Sequence, residues 1–326
     1  MKQYLLAPIY FVAYHIGIFD LLYRFYRRPI VVSYHNIIPD ALRTSYQQFI
    51  GGDHLASEFD KHLEIIQAKL PISNEISPGK VLITFDDGYR NNYLVAADIL
   101  ERHGTEATFF VPACYFESPD ILWVDRMLMW LSFVAAGDYQ LGGVTYSIDT
   151  RNDRSQAWSG IWQRLLHDFS LKEQILEDMH TTCAFQDLQI DGEYRKLRFE
   201  ALSEAEMNGL KDRGHKIGCH SYNHDILAQL SAADLTENFR KCGAYAEKYN
   251  SRWFSYPFGR ESEVSDEVVS QCRDSGYTQA FMNISNSDSK DEFRIPRINM
   301  PNSASKPLIH AKLSGFEDLL KKLLRL

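Results

Sequence analysis

The sequence predicts an α/β fold built on a parallel sheet, and three observations predict it. Six short apolar runs read as buried strands: 30–35 (IVVSYH), 81–86 (VLITFD), 107–112 (ATFFVP), 215–221 (HKIGCHS), 252–257 (RWFSYP) and 277–282 (YTQAFM). Helical patterns separate several of these runs, and strand and helix in alternation call for parallel βαβ units, either open and doubly wound or closed as a barrel. At 326 residues, with 45% hydrophobic and 24% charged side chains, the chain is an ordered globular protein with room for one large domain or two ordinary ones.

Taken in order, residues 4–14 form an apolar and aromatic run that then meets His15 and Asp20 and offers no small-residue cleavage site. It is too short to span a bilayer, which needs about 20 apolar residues, so it reads as a core helix or an interfacial one. Arg24, Arg27 and Arg28 close the segment, and the C-terminal FEDLLKKLLRL sets a Leu face against Lys321, Lys322 and Arg325, so both ends are suited to rest on an anionic membrane. The pattern NNYLVAADILERHG (91–104) repeats apolar residues at helical spacing and ends on Gly104. Residues 231–250 open with Ser231 and an acidic first turn, and 264–277 end on Gly276. The rhythm breaks between about 115 and 202, a stretch too apolar for a linker and too long for a connection. It reads as an inserted subdomain packed over one rim of the main fold.

Several function classes fall away on composition. Lys and Arg number 35 against 43 Asp and Glu, a net charge of -8, and no basic block tracks a phosphate backbone, so nucleic acid is not an expected partner. Five widely spaced cysteines without a C-x-x-C pair fit a reducing compartment.

In an α/β fold of this kind the chemistry belongs at the carboxyl ends of the strands. There, Thr84-Phe85-Asp86-Asp87-Gly88 puts two carboxylates side by side, aimed differently by strand alternation, so one is able to hold a cation while its neighbour stays free to take a proton. Alone, Asp-Asp-Gly is commonly just a turn. His220-Ser221-Tyr222-Asn223-His224 follows another apolar strand and spaces two imidazoles at i and i+4, on one side of a helical turn. Two imidazoles and a carboxylate leave positions open on a divalent ion, as hydrolytic sites require, whereas an isolated pair of this spacing is as often structural. Tyr34-His35 ends the first strand, where a lone histidine is ordinarily a packed or rim residue. The segment 253–259 (WFSYPFG) suits a wall against a sugar ring and equally a core, and Arg297 in RIPR either orients a carboxylate or pairs on the surface. No G-x-S-x-G nucleophile elbow is present.

Together, TFDDG, HSYNH and FSYPFG resemble, in order and in strand-end placement, the motif series of the NodB-like polysaccharide deacetylases, carbohydrate esterase family four. The resemblance covers about 29–114 and 203–301. It implies a distorted (β/α) barrel of NodB-homology type with fewer than eight complete units and an inserted subdomain. It implies Asp86 as catalytic base and Asp87, His220 and His224 as ligands of one divalent metal, zinc first, with cobalt, nickel or iron as alternatives. Tyr256, Pro257, Phe258 and Gly259 would line the substrate. Many members carry an arginine where this chain has Ser255, which makes Arg297 the replacement to test. Many also place the acid histidine near the C-terminus, where only His310 is available. The circularly rearranged poly-N-acetylglucosamine deacetylase-like subgroup places it in an N-terminal Tyr-His motif instead, and Tyr34-His35 favours His35.

The resulting expectation is a metal-dependent hydrolase that removes N-acetyl groups from hexosamine units of a polysaccharide or glycolipid. The setting expected is bacterial surface-glycan assembly, in the cytoplasm or peripheral on the inner membrane. The domain reading is 1–28 as an amphipathic, membrane-facing segment, 29–301 as the catalytic domain, and 302–326 as a tail and amphipathic helix. Two alternatives are a metallohydrolase of a non-sugar amide or ester, and an inactive glycan-binding homologue. The latter would show decay in the ligand set or base, and all four residues are present.

Overall fold

The computed structural model describes residues 2–25, 28–42, 53–285 and 290–324. Arg27 and Arg325, two of the charges noted at the chain ends, lie outside the described residues. The strands are β1 (Ile30–Tyr34), β2 (Asn36–Ile38), β3 (Asp53–Leu55), β4 (Val81–Phe85), β5 (Thr108–Val111), β6 (Asp138–Leu141), β7 (Val144–Ser147), β8 (Lys216–Cys219), β9 (Trp253–Ser255), β10 (Gln279–Phe281) and β11 (Ile298–Asn299). Seven of them form one parallel sheet in the order β10-β9-β8-β5-β4-β1-β11, curled into a half-barrel and flanked by helices. This is the distorted NodB-type (β/α) barrel expected from the sequence. Its central strands are apolar on both faces because helices cover one side and the packed barrel interior the other; β1 and β4 are buried at every position.

All six expected strands form, each shorter than its apolar run. The pattern at 91–104 becomes a π-helical turn, Asn92–Ala96, continuing as the α-helix Ala97–Arg102. Capping fixes the later helices: the Ser231 side chain accepts from the Asp234 N–H, and Asn250 closes Ala232–Tyr249 in the left-handed conformation. Between β5 and β8 the chain builds the helix Trp123–Phe133, the antiparallel hairpin β6–β7, and the helices Arg151–His167, Leu171–Thr182 and Gly192–Phe199. These pack onto the barrel through a core continuous with its own.

The two chain ends meet. Helices Lys2–His15 and Ile18–Phe25 bury Leu6, Tyr10, Ala13 and Phe19 with Ala311 in a separate small cluster against the C-terminal helices Lys306–Leu313 and Phe316–Leu324. Among the described residues no single helix is long and apolar enough to cross a membrane, and the first two together are bent by 75°.

Candidate metal-centred active site

Asp86 and Asp87 leave the end of β4, and His220 leaves the end of β8 with its N–H donated to Val111 at the end of β5. Asp87 Oδ1 lies 3.2 Å from His220 Nε2 and 3.1 Å from His224 Nε2. One ligand atom from each residue falls within 4.8 Å of the others, and all three residues are buried. His220 donates its other ring nitrogen, Nδ1, to the Ser255 carbonyl at 2.7 Å, which fixes the tautomer and leaves the Nε2 lone pair facing the cluster. A borderline cation fits this donor set of two imidazoles and one carboxylate.

The histidine pair is not on a helical turn, which corrects the sequence reading. Residues 220–224 form a loop in which Ser221 (φ 61°) and His224 (φ 56°) adopt left-handed conformations. The Ser221 hydroxyl accepts the His224 N–H at 3.0 Å and locks the loop. The i, i+4 spacing therefore brings the imidazoles together by turning the chain twice, not by one helical repeat.

Asp86 is placed differently. Arg297, with none of its surface exposed, grips it through both guanidinium ends, Nη1 to Oδ1 at 2.7 Å and Nη2 to Oδ2 at 2.5 Å. The remaining guanidinium hydrogens go to Met282 O at 3.0 Å, Thr84 Oγ1 at 3.2 Å and Ser255 Oγ at 2.9 Å, so all five donors are used. Ser255 is part of this arrangement: a larger side chain there would occupy the place of the guanidinium. Burial alone would raise the Asp86 pKa, but the Arg297 charge, with His220 and His35 adding to it, brings the carboxyl below the ordinary carboxylate range. Burial would likewise raise Asp87, and the two imidazoles reverse it, holding that carboxyl well below its usual range.

His35 follows β1 and lies close enough to act electrostatically on Asp53, Asp86 and Asp87; its backbone carbonyl accepts from Asn92 Nδ2 at 2.9 Å. His310 sits elsewhere. Its ring stacks on Tyr14 and Phe19 and its Nδ1 meets Tyr23 Oη at 2.9 Å, inside the cluster formed by the chain ends. Its contacts are with the N-terminal helices, and the structure brings it to no member of the aspartate–histidine group.

Of the four residues expected to line the substrate, only Phe258 presents a side chain. Tyr256 is 1% exposed, meets Phe254 edge-to-face and donates its hydroxyl to Phe293 O at 3.1 Å, which corrects its assignment to the cleft wall. The reason is that its N–H pairs with Phe281 O, extending the sheet by one residue and turning its ring inward. Pro257 and Gly259 are buried, and Gly259 donates to Pro257 O at 2.6 Å across a tight turn with Phe258 (φ 60°) at its centre. The Phe258 ring stands edge-to-face on His224 at 4.7 Å.

A second buried group went unseen in the sequence. Arg198 bonds Asp53 Oδ1 at 2.6 Å and Asp125 Oδ1 at 3.3 Å, and Tyr89 donates to Asp125 Oδ2 at 2.8 Å. Asp125 acts electrostatically on His224, so the segment between β5 and β8 adds a charge that the site feels. Burial holds Asp53 up at about 6 despite Arg198. The only signal available in the sequence was a charge inside an apolar helical pattern, WVDRMLMW. Trp123 on that same helix donates its indole N–H to the His224 carbonyl at 3.0 Å.

Comparison with known proteins agrees with this architecture. A family model described as polysaccharide deacetylase matches residues 73–157 and 171–280, more than half of the chain. The Streptococcus pyogenes deacetylase PplD, solved in complex with acetate, is 17% identical, with 90% of this chain and 97% of that one covered at a TM-score of 0.54. IcaB from Ammonifex degensii is also 17% identical, with 88% and 97% covered at 0.52. A de-N-acetylase from Aggregatibacter actinomycetemcomitans is 12% identical, with 84% and 95% covered at 0.52. No curated protein matches the sequence.

Proposed function

Because the chain belongs to the polysaccharide deacetylase family, whose members are hydrolases of acetylated glycans, we propose that it hydrolyses the N-acetyl amide of a hexosamine unit with Asp86 as base and His35 as acid. The observation that carries this reading is the division of two adjacent aspartates. Asp87 joins His220 and His224, while Asp86 is held by Arg297 and kept ionised.

Asp87, His220 and His224 would hold one divalent ion, zinc first, with cobalt, nickel or iron also suited to mixed nitrogen and oxygen ligands. Such an ion supplies Lewis-acid polarisation and a lowered water pKa. Asp86 accepts a proton from the attacking water, a role that requires the ionised form that Arg297 maintains. The Phe258 N–H is the donor we assign to the developing oxyanion, since the Gly259 N–H is spent inside the turn. His35 donates a proton to the departing nitrogen, because an amine leaves poorly as an anion. Acetate and a free amine result.

We further place the enzyme on an anionic membrane surface, at the inner leaflet, in the assembly of a cell-envelope glycan. Nine of the twelve large apolar side chains left exposed among the described residues lie on the terminal helices or, for Ile16, in the turn joining the first two, with Phe25, Leu323, Ile16 and Phe11 the most open. Arg24, Lys321 and Lys322 flank them. Five free thiols suit a reducing compartment. Flotation with phosphatidylglycerol vesicles, compared with phosphatidylcholine alone, checks the location; Phe11→Glu with Phe25→Glu is expected to abolish binding, and unaltered binding overturns it. For the activity, acetate release is followed on N-acetylhexosamine oligomers, N-acetylated glycolipids and small acetamides. Turnover confined to small acetamides overturns the glycan reading.

A further inference from the structure

The helix Arg151–His167 makes its contact with the core through Ala157, Ile161 and Leu165, a complete apolar stripe at helical spacing. Two tryptophans flank that stripe, packed against the edge of the same core. Trp158 and Trp162 are only partly buried, their rings 5.6 Å apart at i, i+4, and Trp162 continues onto Phe258 at 4.5 Å. Phe258 in turn meets His224 at 4.7 Å. A continuous row of aromatic rings thus runs from a ligand of the candidate metal centre outward along the inserted segment. Trp130, on the neighbouring helix, shows the contrast: it is wholly buried in the core.

We propose that Phe258, Trp162 and Trp158 form a sugar-stacking platform that binds the units of a glycan chain beside the one being deacetylated. The proposal rests on the deacetylase reading and adds to it where the chain lies. Aromatic faces with a polar edge are what a pyranose recognises, apolar C–H faces against the ring and hydroxyls against charged groups. Polar groups lie near where the row begins: Asp225, next to His224, pairs with Lys172 at 2.9 Å, and Lys172 lies 5.8 Å from the ring of Trp123, which itself packs on Phe258. The row is rigid where it starts. The Phe258 turn is fixed by the Gly259 N–H on Pro257 O and by the Asn283 N–H on Gly259 O, and Trp123 backs Phe258 at 6.1 Å. Both tryptophans fall between the two ranges matched by the family model, in 158–170, whereas Phe258 lies inside the second.

The experiment measures kcat/KM on N-acetylhexosamine oligomers of increasing length and, separately, quenching of tryptophan fluorescence on titrating the same oligomers into the full-length protein. The wild type is expected to favour the longer oligomer over the monomer. Trp162→Ala is expected to reduce that preference roughly 10- to 100-fold, Trp158→Ala less, and Trp162→Phe to restore most of it. A fall equal for monomer and oligomer, or an unchanged preference, overturns the platform. Oligomer-dependent quenching that Trp162→Ala removes, in a protein that releases no acetate from any glycan, supports the platform and overturns the deacetylase reading. Turnover without length preference does the reverse.

Discussion

Replacing Arg297 with methionine isolates what the guanidinium does for Asp86. The side chain is wholly buried and makes five hydrogen bonds, two of them to the carboxylate at 2.7 and 2.5 Å. At an effective dielectric near 20, two unit charges about 4 Å apart interact by about 4 kcal/mol. Methionine fills much of the same volume but returns none of this, so Asp86 is left buried beside an apolar group and its carboxyl rises. At neutral pH the base is then largely protonated, and kcat/KM is expected to fall about 10²- to 10³-fold, the kinetic equivalent of most of that energy. The acidic limb of the pH–rate profile is expected to move to higher pH, with activity partly recovered in alkaline buffer. Folding suffers too, because removing one partner of a buried ion pair costs about 3–5 kcal/mol. The double variant Arg297→Met, Asp86→Asn separates the two effects: it is expected to regain stability, measured by urea unfolding, and to regain no activity. A single variant that keeps the wild-type acidic limb would refute the claim that Arg297 sets the ionisation of Asp86.

Three further outcomes are expected. Asp86→Asn loses about 10²–10⁴-fold in rate with bound metal, measured by elemental analysis, near wild type, whereas His220→Ala or His224→Ala loses metal and rate together; metal retained in both histidine variants counts against the cluster as a metal site. His35→Ala lowers turnover about 10²–10⁴-fold and His310→Ala does not, and a reversed pair of results would move the acid to the C-terminal helix. Stability falls in mild acid through His310, whose pKa burial depresses from 6.5 to about 4, with Lys69 and Lys306 adding to the depression and Asp20 opposing it. Because the folded value lies below the unfolded one, the contribution is full above pH 6.5 and is lost as pH falls towards 4; after partial screening it is on the order of 2 kcal/mol. Thermal unfolding across that window checks it, and His310→Gln, which keeps a partner for Tyr23 but does not titrate, is expected to show a shallower dependence.

The strands were legible because a strand buried on both faces is an unbroken apolar run, and β1, β4 and β5 are that. The aspartate–histidine cluster was legible because TFDDG and HSYNH lie at the ends of such runs. Other features left no local trace. Tyr256 was assigned to the cleft wall by resemblance, while its aromatic segment suited a core equally; the backbone bond to Phe281 O holds it in the sheet and its ring is buried. The group formed by Asp53, Asp125 and Arg198 is scattered over nearly 150 positions, and in sequence each of its charges looks like any solvated one. Its burial is decided only when the helices Trp123–Phe133 and Gly192–Phe199 close over it. The exposed terminal helices were anticipated as amphipathic, but Lys2–His15 is apolar on its exposed side as well, since Ile9, Phe11 and Val12 face outward.

The sheet itself does not bring the ligands together. β4 and β8 are separated by β5, so their ends stand about 10 Å apart at ordinary strand spacing, yet the ligand atoms of Asp87, His220 and His224 lie within 4.8 Å. The gap is closed by backbone that turns back after each strand. Five non-glycine residues have positive φ among the described residues, and four of them, Asp87, Ser221, His224 and Phe258, stand at this site. A left-handed conformation costs a residue with a side chain about 1–2 kcal/mol, so it persists only where surrounding contacts determine it. Those contacts are present. The Ala113 N–H bonds Ser221 O and the Cys114 N–H bonds Tyr222 O, tying the histidine loop to the segment after β5. Gly88 closes the aspartate turn at φ 63°, where a Cβ would meet Val111 Cγ1 at 2.7 Å. The strand that separates the two halves of the site is therefore also what holds them in place: β5 keeps the loops apart at their bases, and the residues at its end fix the bends by which they meet.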